Sequence, residues 1–179
     1  MQGLVNFASQ IGLAFAILFQ PICYLGALTL FLHAGWGFWR QAQPDNPYRG
    51  RPWVPVVSLI VCGALASFHT ILTKANVSAG STVVVGKTDL ASYTSTSPNA
   101  ATVLGADPGA TVVNVVGLFQ LFFQAFGAMA CLFAVLAWHA SVTQRSNRSR
   151  MGCGVQFVFG VMLINVMTVA QWIVATFTV

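Results

Sequence analysis

The distribution of charge along the chain constrains its fold more than any other feature. Four stretches contain no Asp, Glu, Lys or Arg: residues 1–39, 52–73, 108–144 and 151–179. Each can hold the about 20 apolar residues with which a helix crosses the roughly 30 Å hydrocarbon core of a bilayer. The sequence therefore predicts an all-α membrane protein with four transmembrane helices, near residues 13–37, 54–74, 113–138 and 154–176.

Composition supports this prediction and limits the number of domains. Only 6% of the 179 residues are charged, whereas a soluble domain carries about 25%. The length fits one membrane domain, residues 1–179. We expect two tandem helical hairpins, residues 1–74 and 113–179, separated by an outer loop, residues 75–112.

Six of the eight basic residues lie in two short connections between predicted helices. The first basic loop, residues 38–53, and the second basic loop, residues 139–153, contain Arg40, Arg49, Arg51, Arg145, Arg148 and Arg150. Loops rich in Lys and Arg stay on the cytoplasmic side of a membrane. We therefore place both basic loops in the cytoplasm, and both termini and the outer loop on the opposite side. This explains the net charge of +5 better than nucleic-acid binding does.

The N-terminal segment leaves two alternatives open. No Lys or Arg precedes Arg40, so we expect no cleaved signal peptide. Asn6, Ser9 and Gln10 fall on one side of a helix. This segment is either an interfacial helix that leads into the membrane or the polar start of a long first helix.

The outer loop differs in composition from the rest of the chain, being rich in Ser, Thr, Ala, Gly and Val. Residues 81–85 are typical of a strand, residues 86–89 of a turn, and residues 101–104 of a pairing strand. The loop is therefore either a small β-hairpin or irregular. Asn76-Val77-Ser78 also matches a glycosylation sequon, a pattern that is common by chance.

Five amide side chains lie in or near the predicted spans: Gln20, Gln120, Gln124, Asn165 and Gln171. An amide in hydrocarbon needs a partner, so these residues are expected to make interhelical polar contacts or, alternatively, to line a polar pathway. The spans contain no deep charged residue, which argues against a proton-coupled pump or an ion carrier.

No catalytic group of residues can be recognised in the sequence. There is no phosphate-binding glycine loop, no acidic pair and no recognisable triad. The four cysteines lack metal-site spacing, and His33, His69 and His139 are predicted at opposite membrane faces. We expect no enzyme activity, no metal and no organic cofactor, and leave a bound phospholipid open.

Two segments resemble known proteins. Residues 41–72, QAQPDNPYRGRPWVPVVSLIVCGALASFHTIL, and residues 152–174, GCGVQFVFGVMLINVMTVAQWIV, are similar to the IcmC/DotE/TraQ family of type IVB secretion and IncI-type conjugation. The first half also resembles the IcmD/DotP/TraR proteins, at Asp45-Asn46-Pro47. The long Thr/Val-rich outer loop departs from these proteins. The resemblance implies a non-enzymatic component of a DNA- or protein-transfer apparatus in a bacterial inner membrane, with periplasmic termini.

Three roles remain open under this resemblance. The chain is a fixed subunit of the membrane complex, a pilus-type subunit that polymerises with lipid into a conjugative filament, or a small passive channel or transporter. The expected partners are membrane lipid and either further copies or other secretion-apparatus subunits. Contact with transferred DNA or protein is expected to be indirect. In a filament the six arginines would face the lumen and meet lipid headgroups or DNA; otherwise they serve topology alone.

Overall fold

The computed structural model describes residues 2–46, 48–81, 83–85, 104–105 and 108–177. This part of the chain is all-helical and contains no strand. Its seven helices are α1 (Gln2–Gln41), α2 (Trp53–Ala66), α3 (Phe68–Ser78), α4 (Pro108–Leu118), α5 (Gln120–Val142), α6 (Arg150–Ile164) and α7 (Val166–Phe177). By length and composition α1 and α5 can each cross a membrane, and four spans result if the bent pairs α2–α3 and α6–α7 each count as one.

Helix α1 is longer than a single membrane crossing requires. Its 40 residues correspond to about 60 Å at 1.5 Å per residue. The helix includes Pro21 in its interior and begins at Gln2, so the N-terminal segment is the polar start of a long helix rather than a separate one. Gln2 Nε2 donates to Asn6 Oδ1 at 3.1 Å along this first part.

The second half of each predicted hairpin is a bent pair of helices, here called a limb, although the sequence predicts continuous spans at 54–74 and 154–176. The chain bends by 74° between α2 and α3 and by 83° between α6 and α7. The break residues are Ser67 and Asn165, and each uses its side chain to bond the carbonyl four residues earlier. Such side-chain bonds compete with the regular ladder and favour a bend. The predicted span at 113–138 is likewise divided between α4 and α5, which meet at Phe119.

Contacts along the helices define the relative directions of the limbs. Helix α1 packs against α2, and α5 packs against α6. Gly37 lies beside Pro55 while Phe19 lies beside Phe68, so α1 and the α2–α3 limb are antiparallel. Helices α1 and α5 also pack together and run in the same direction, because Gly12 faces Phe122 near one end and His33 meets Arg145 near the other.

The core lies where α1, α2, α3, α5 and α6 meet. Its largest buried side chains include Leu65, Phe68, Leu72, Leu132 and Ile164. The outward faces of the same helices carry many exposed large apolar residues, among them Leu32, Ile60 and Phe159. Apolar residues on both the inner and the outer faces are typical of helices that are surrounded by lipid or by other subunits.

The start of the outer loop is attached to α3. The Val85 amide donates to Thr73 Oγ1 at 3.0 Å, and Asn76 Nδ2 donates to the Val83 carbonyl at 3.3 Å. Val85 is buried and belongs to the core. Residues 81, 83–85 and 104 form no strand here, and the other residues of the predicted β-hairpin, 82, 86–89 and 101–103, lie outside the described residues.

Candidate functional site

The two basic loops lie at the same end of the helical bundle, here called the basic end. His139, near the end of α5, pairs with Ser58 of α2 at 2.9 Å between Nε2 and Oγ. Arg145 Nη2 lies 2.8 Å from Nε2 of His33 in α1. The first contact joins α5 to α2, and the second joins the second basic loop to α1. Arginines that are far apart in the sequence are therefore gathered on one surface.

Arg40 is held by aromatic rings at the end of α1. Its guanidinium carbon lies 5.3 Å from the ring centre of Trp36 and 5.9 Å from that of Trp39. A cation at this distance from a ring face is attracted to the π-electrons. Its Nε is buried without a hydrogen-bond partner. The two tryptophans therefore fix where the charge of Arg40 lies relative to the helix axis.

Arg49 and Arg51 are exposed on a turn that precedes α2. The Arg49 amide donates to the Asn46 carbonyl at 3.2 Å, and the Arg51 amide donates to the Tyr48 carbonyl at 2.7 Å. Gly50 between them has φ = 90°, a conformation that a residue without Cβ adopts readily. The turn presents both guanidinium groups to the surroundings.

The second basic loop is held in place by hydrogen bonds to its backbone carbonyls and by one side-chain contact with α6. The Arg145 amide donates to the Ala140 carbonyl at 2.8 Å, and Ser141 Oγ donates to the Arg148 carbonyl at 2.6 Å. Arg148 Nη1 donates to Gln156 Oε1 of α6 at 3.3 Å, while Arg150 begins α6 and is exposed. Arg145 and Arg148 thus lie on an ordered loop, and Arg150 follows them in the first turn of α6.

The basic end is strongly cationic. Asp45 is the only acidic residue in the described ranges, and within those ranges no arginine forms an ion pair with a carboxylate. A surface with several guanidinium groups and few counter-charges attracts anionic groups such as the phosphates of lipid headgroups. Chemically, this end of the molecule is suited to binding anions.

Of the five predicted polar side chains, Asn165 makes the contact that links the two halves. Its Nδ2 donates to Asn76 Oδ1 of α3 at 3.2 Å and to the Val161 carbonyl at 3.0 Å. Gln124 is also buried, and its Oε1, like Asn165 Oδ1, has no hydrogen-bond partner. Gln20 and Gln120 are half-buried, and Gln171 is exposed.

Asn76 is a structural residue that the sequence analysis did not identify. We placed it in the outer loop as part of a sequon, because Lys74 ends the charge-free stretch. In the structure it is fully buried and faces Asn165. The available signal was the spacing of Phe68, Leu72 and Asn76, which are four residues apart and therefore share one face of a helix.

Helices α5 and α6 approach each other closely where they cross at Gly127 and Gly160. A Cβ added to Gly127 would lie 2.6 Å from the Gly160 carbonyl oxygen and 2.9 Å from the Ile164 amide nitrogen. A Cβ on Gly160 would meet Cys131 Sγ and lie 2.9 Å from the Gly127 carbonyl oxygen. Only glycine fits at both positions, which permits the backbone contact common between membrane helices.

The remaining candidate groups are the four cysteines. Cys23, Cys131 and Cys153 are buried free thiols, and Cys62 is half-buried. Within the described residues, no group of three or more His, Cys, Asp or Glu is arranged to hold a metal ion. The notable chemistry of this part of the chain is therefore the positive charge of the basic end and the apolar surface beside it.

Comparison of the chain with protein-family models, with curated proteins and with solved structures gives no match.

Proposed function

We propose that this protein is a non-enzymatic integral membrane subunit of a transfer apparatus, of the type IVB secretion and conjugation kind that its sequence resembles. The main observation that supports this proposal is that both arginine loops lie at one end of a bundle with apolar flanks. In this proposal the bundle crosses a bacterial inner membrane four times as two tandem hairpins. The basic end is cytoplasmic, and the α3 and α7 end is periplasmic.

The extent of the apolar flanks supports a protein that works inside a lipid phase. Ile60 is 66% exposed, Leu32 62% and Phe159 61%, and they belong to three different helices. Large exposed apolar surfaces on several sides require a bilayer or neighbouring subunits to cover them. A subunit of a membrane complex has both.

Two experiments test this role, namely membrane fractionation with cross-linking and the activity of reporter fusions. A tagged chain, expressed at its native level, should fractionate with the inner membrane and co-purify with other subunits of the apparatus after cross-linking. A reporter that is active only in the periplasm should be active when fused after Phe177 and inactive when inserted in the second basic loop. Recovery of the chain without other subunits, or the reverse pattern of reporter activity, would contradict the proposal.

The arginines can be tested in the same cells. Replacing Arg145, Arg148 and Arg150 together by Ala should reduce insertion in the correct orientation and lower transfer, because the positive charge that retains the loop in the cytoplasm is lost. The matched control replaces Ser146, Asn147 and Ser149, which lie in the same loop, by Ala. Normal topology and normal transfer in the arginine variant would remove these residues from the proposed role.

A pilus-type subunit is the second candidate. The specific observation in its favour is that α1 and α5 run in the same direction, so the chain consists of two hairpins whose basic loops would face the same side of a filament wall. Electron microscopy and mass spectrometry of material sheared from cells distinguish the candidates. A helical filament composed mainly of this chain and lipid supports the pilus-type role, and confinement to the inner membrane supports the fixed subunit. Conductance of the chain reconstituted alone would instead support a passive channel.

A further inference from the structure

An apolar groove opens on the outside of the α5–α6 pair, close to the basic end. It has a volume of about 380 Å³, within the range of small-molecule sites. Its walls are formed by Ala134, Val135, Trp138, Cys153, Gly154, Phe157 and Val158. The groove is therefore a place for a hydrocarbon group, located between two helices of the proposed membrane bundle.

Positive charge lies where the groove meets the basic end. Arg150 precedes Cys153 and Gly154 by three and four residues, which places it on the same face of α6, one turn closer to that end. Arg148 is directed elsewhere, since its Nη1 lies 3.3 Å from Oε1 of Gln156, a residue outside the groove lining. Arg150 is exposed. An anionic group positioned above the groove would meet the Arg150 guanidinium.

The rim of the groove has the character of a membrane interface. Trp138 is 40% exposed at the side nearest the basic end. Tryptophan is enriched at the level of lipid headgroups, because its ring is apolar while its N–H is polar. The spatial order of Arg150, Trp138 and the apolar groove matches the order of a headgroup, a glycerol region and an acyl chain in a lipid.

We propose that this groove is a binding site for one anionic phospholipid, with an acyl chain between α5 and α6 and the headgroup phosphate at Arg150. Basic residues beside a cleft between membrane helices are suited to anionic headgroups on the cytoplasmic side. The inference rests on the proposed membrane orientation of the chain. It adds a defined site and a charge preference to that role.

Gly154 provides a variant that fills the groove without disturbing the protein. A Cβ added there meets no atom within 4 Å, so Gly154→Leu should fold normally while its side chain occupies the space of the acyl chain. Gly63 in α2 is the matched control, since it is an exposed helical glycine whose added Cβ also meets nothing within 4 Å. Arg150→Gln tests the headgroup contact, and Arg49→Gln in the first basic loop is its control.

The experiment is native mass spectrometry of the full chain, purified in mild detergent and titrated with phosphatidylglycerol or phosphatidylcholine. The wild type should retain phosphatidylglycerol in preference to phosphatidylcholine. Gly154→Leu should lose the retained lipid while Gly63→Leu keeps it. Arg150→Gln should weaken phosphatidylglycerol binding about fivefold, the contribution of one basic residue near an anionic surface, and Arg49→Gln should not. Glycerol 3-phosphate, which carries the phosphate without acyl chains, should not displace the lipid.

Each contrary outcome is decisive. Equal retention by Gly154→Leu and the wild type overturns the acyl-chain site. Equal retention of the two lipids, with no effect of Arg150→Gln, overturns the headgroup contact. A wild-type chain that retains no lipid but forms a dimer that Gly154→Leu dissociates shows that a second copy fills the groove. In all three cases the chain still fractionates with the membrane, so the proposed subunit role fails only if that fractionation fails.

Discussion

The two bent limbs of the molecule look alike but are stabilised differently. Helix α2 has 14 residues before the break at Ser67, and α6 has 15 before the break at Asn165. The Ser67 side chain is exposed and bonds the Gly63 carbonyl of its own limb at 3.0 Å. Asn165 is buried, and its amide also bonds Asn76 in the other limb.

This difference separates a local bend from one that depends on the rest of the fold. All described hydrogen bonds of the Ser67 side chain stay within four residues, so the first bend is specified by its own sequence. The second bend is formed where α6 passes close to α5 and where the Asn165 side chain reaches α3. The break residue of the second bend is therefore coupled directly to the packing between the two halves, whereas the side-chain hydrogen bond of Ser67 stays within its own limb.

The largest contrast is expected at the glycines that precede the bends. Gly160→Ala places a methyl group against Cys131 Sγ and near the Gly127 carbonyl, and overpacking of this kind typically costs about 1–3 kcal/mol. Gly63→Ala meets nothing within 4 Å and should stabilise α2 by up to about 1 kcal/mol, because Ala is the better helix former. Thermal unfolding of the detergent-solubilised variants, followed by tryptophan fluorescence, should give shifts of opposite sign. Shifts of the same sign would show that the two limbs are packed alike.

A smaller effect is expected from the hydrogen bond between Asn165 and Asn76, one of the contacts that join the two halves. Asn165→Ala removes the donor to Asn76 Oδ1, and such interhelical bonds contribute about 0.6 kcal/mol on average and up to about 1.7 kcal/mol. In a double-mutant cycle with Asn76→Ala the second substitution should cost less once the first is present. Additive losses in Tm would mean that the two amides act independently, and the coupling inferred for the second bend would be wrong.

The smallest effect is expected at the exposed bend. Ser67→Ala removes one side-chain bond to a carbonyl that also accepts from the Ser67 backbone amide, so the free energy of unfolding should change by no more than about 0.5 kcal/mol. Hydrogen exchange of α2 and α3 amides provides the sensitive measurement. Loss of protection that extends into α6 would contradict a local bend and remove the distinction between the two limbs.

The sequence predicts the helices well and the bends poorly, for a physical reason. Charge-free apolar runs reveal which residues avoid water, and the structure forms helices over all four of them. A bend, however, depends on one polar side chain finding a partner, and serine or asparagine within an apolar run is compatible with either a straight or a broken helix.

The candidate site was predictable in composition but not in arrangement. The sequence places all six arginines in two loops; in the structure Arg40 lies in the last turn of α1, Arg150 begins α6, and the other four lie between helices. Their proximity depends on the contact of His33 with Arg145 and of Ser58 with His139, pairs separated by 112 and 81 residues. The sequence does not single out Asn76, because Lys74 ends the charge-free stretch before it and its partner Asn165 lies 89 residues away.

The length of α1 has a consequence for the outer surface of the proposed membrane complex. With the Trp36 and Arg40 end at one interface, about 20 residues cross the hydrocarbon, and the helix leaves it near residue 17. Leu4 and Phe7, which are 60% and 61% exposed, then lie about 15 Å or more beyond the hydrocarbon edge. In the proposed orientation lipid tails would not reach that height, so protein rather than lipid would cover the apolar side chains in the first turns of α1.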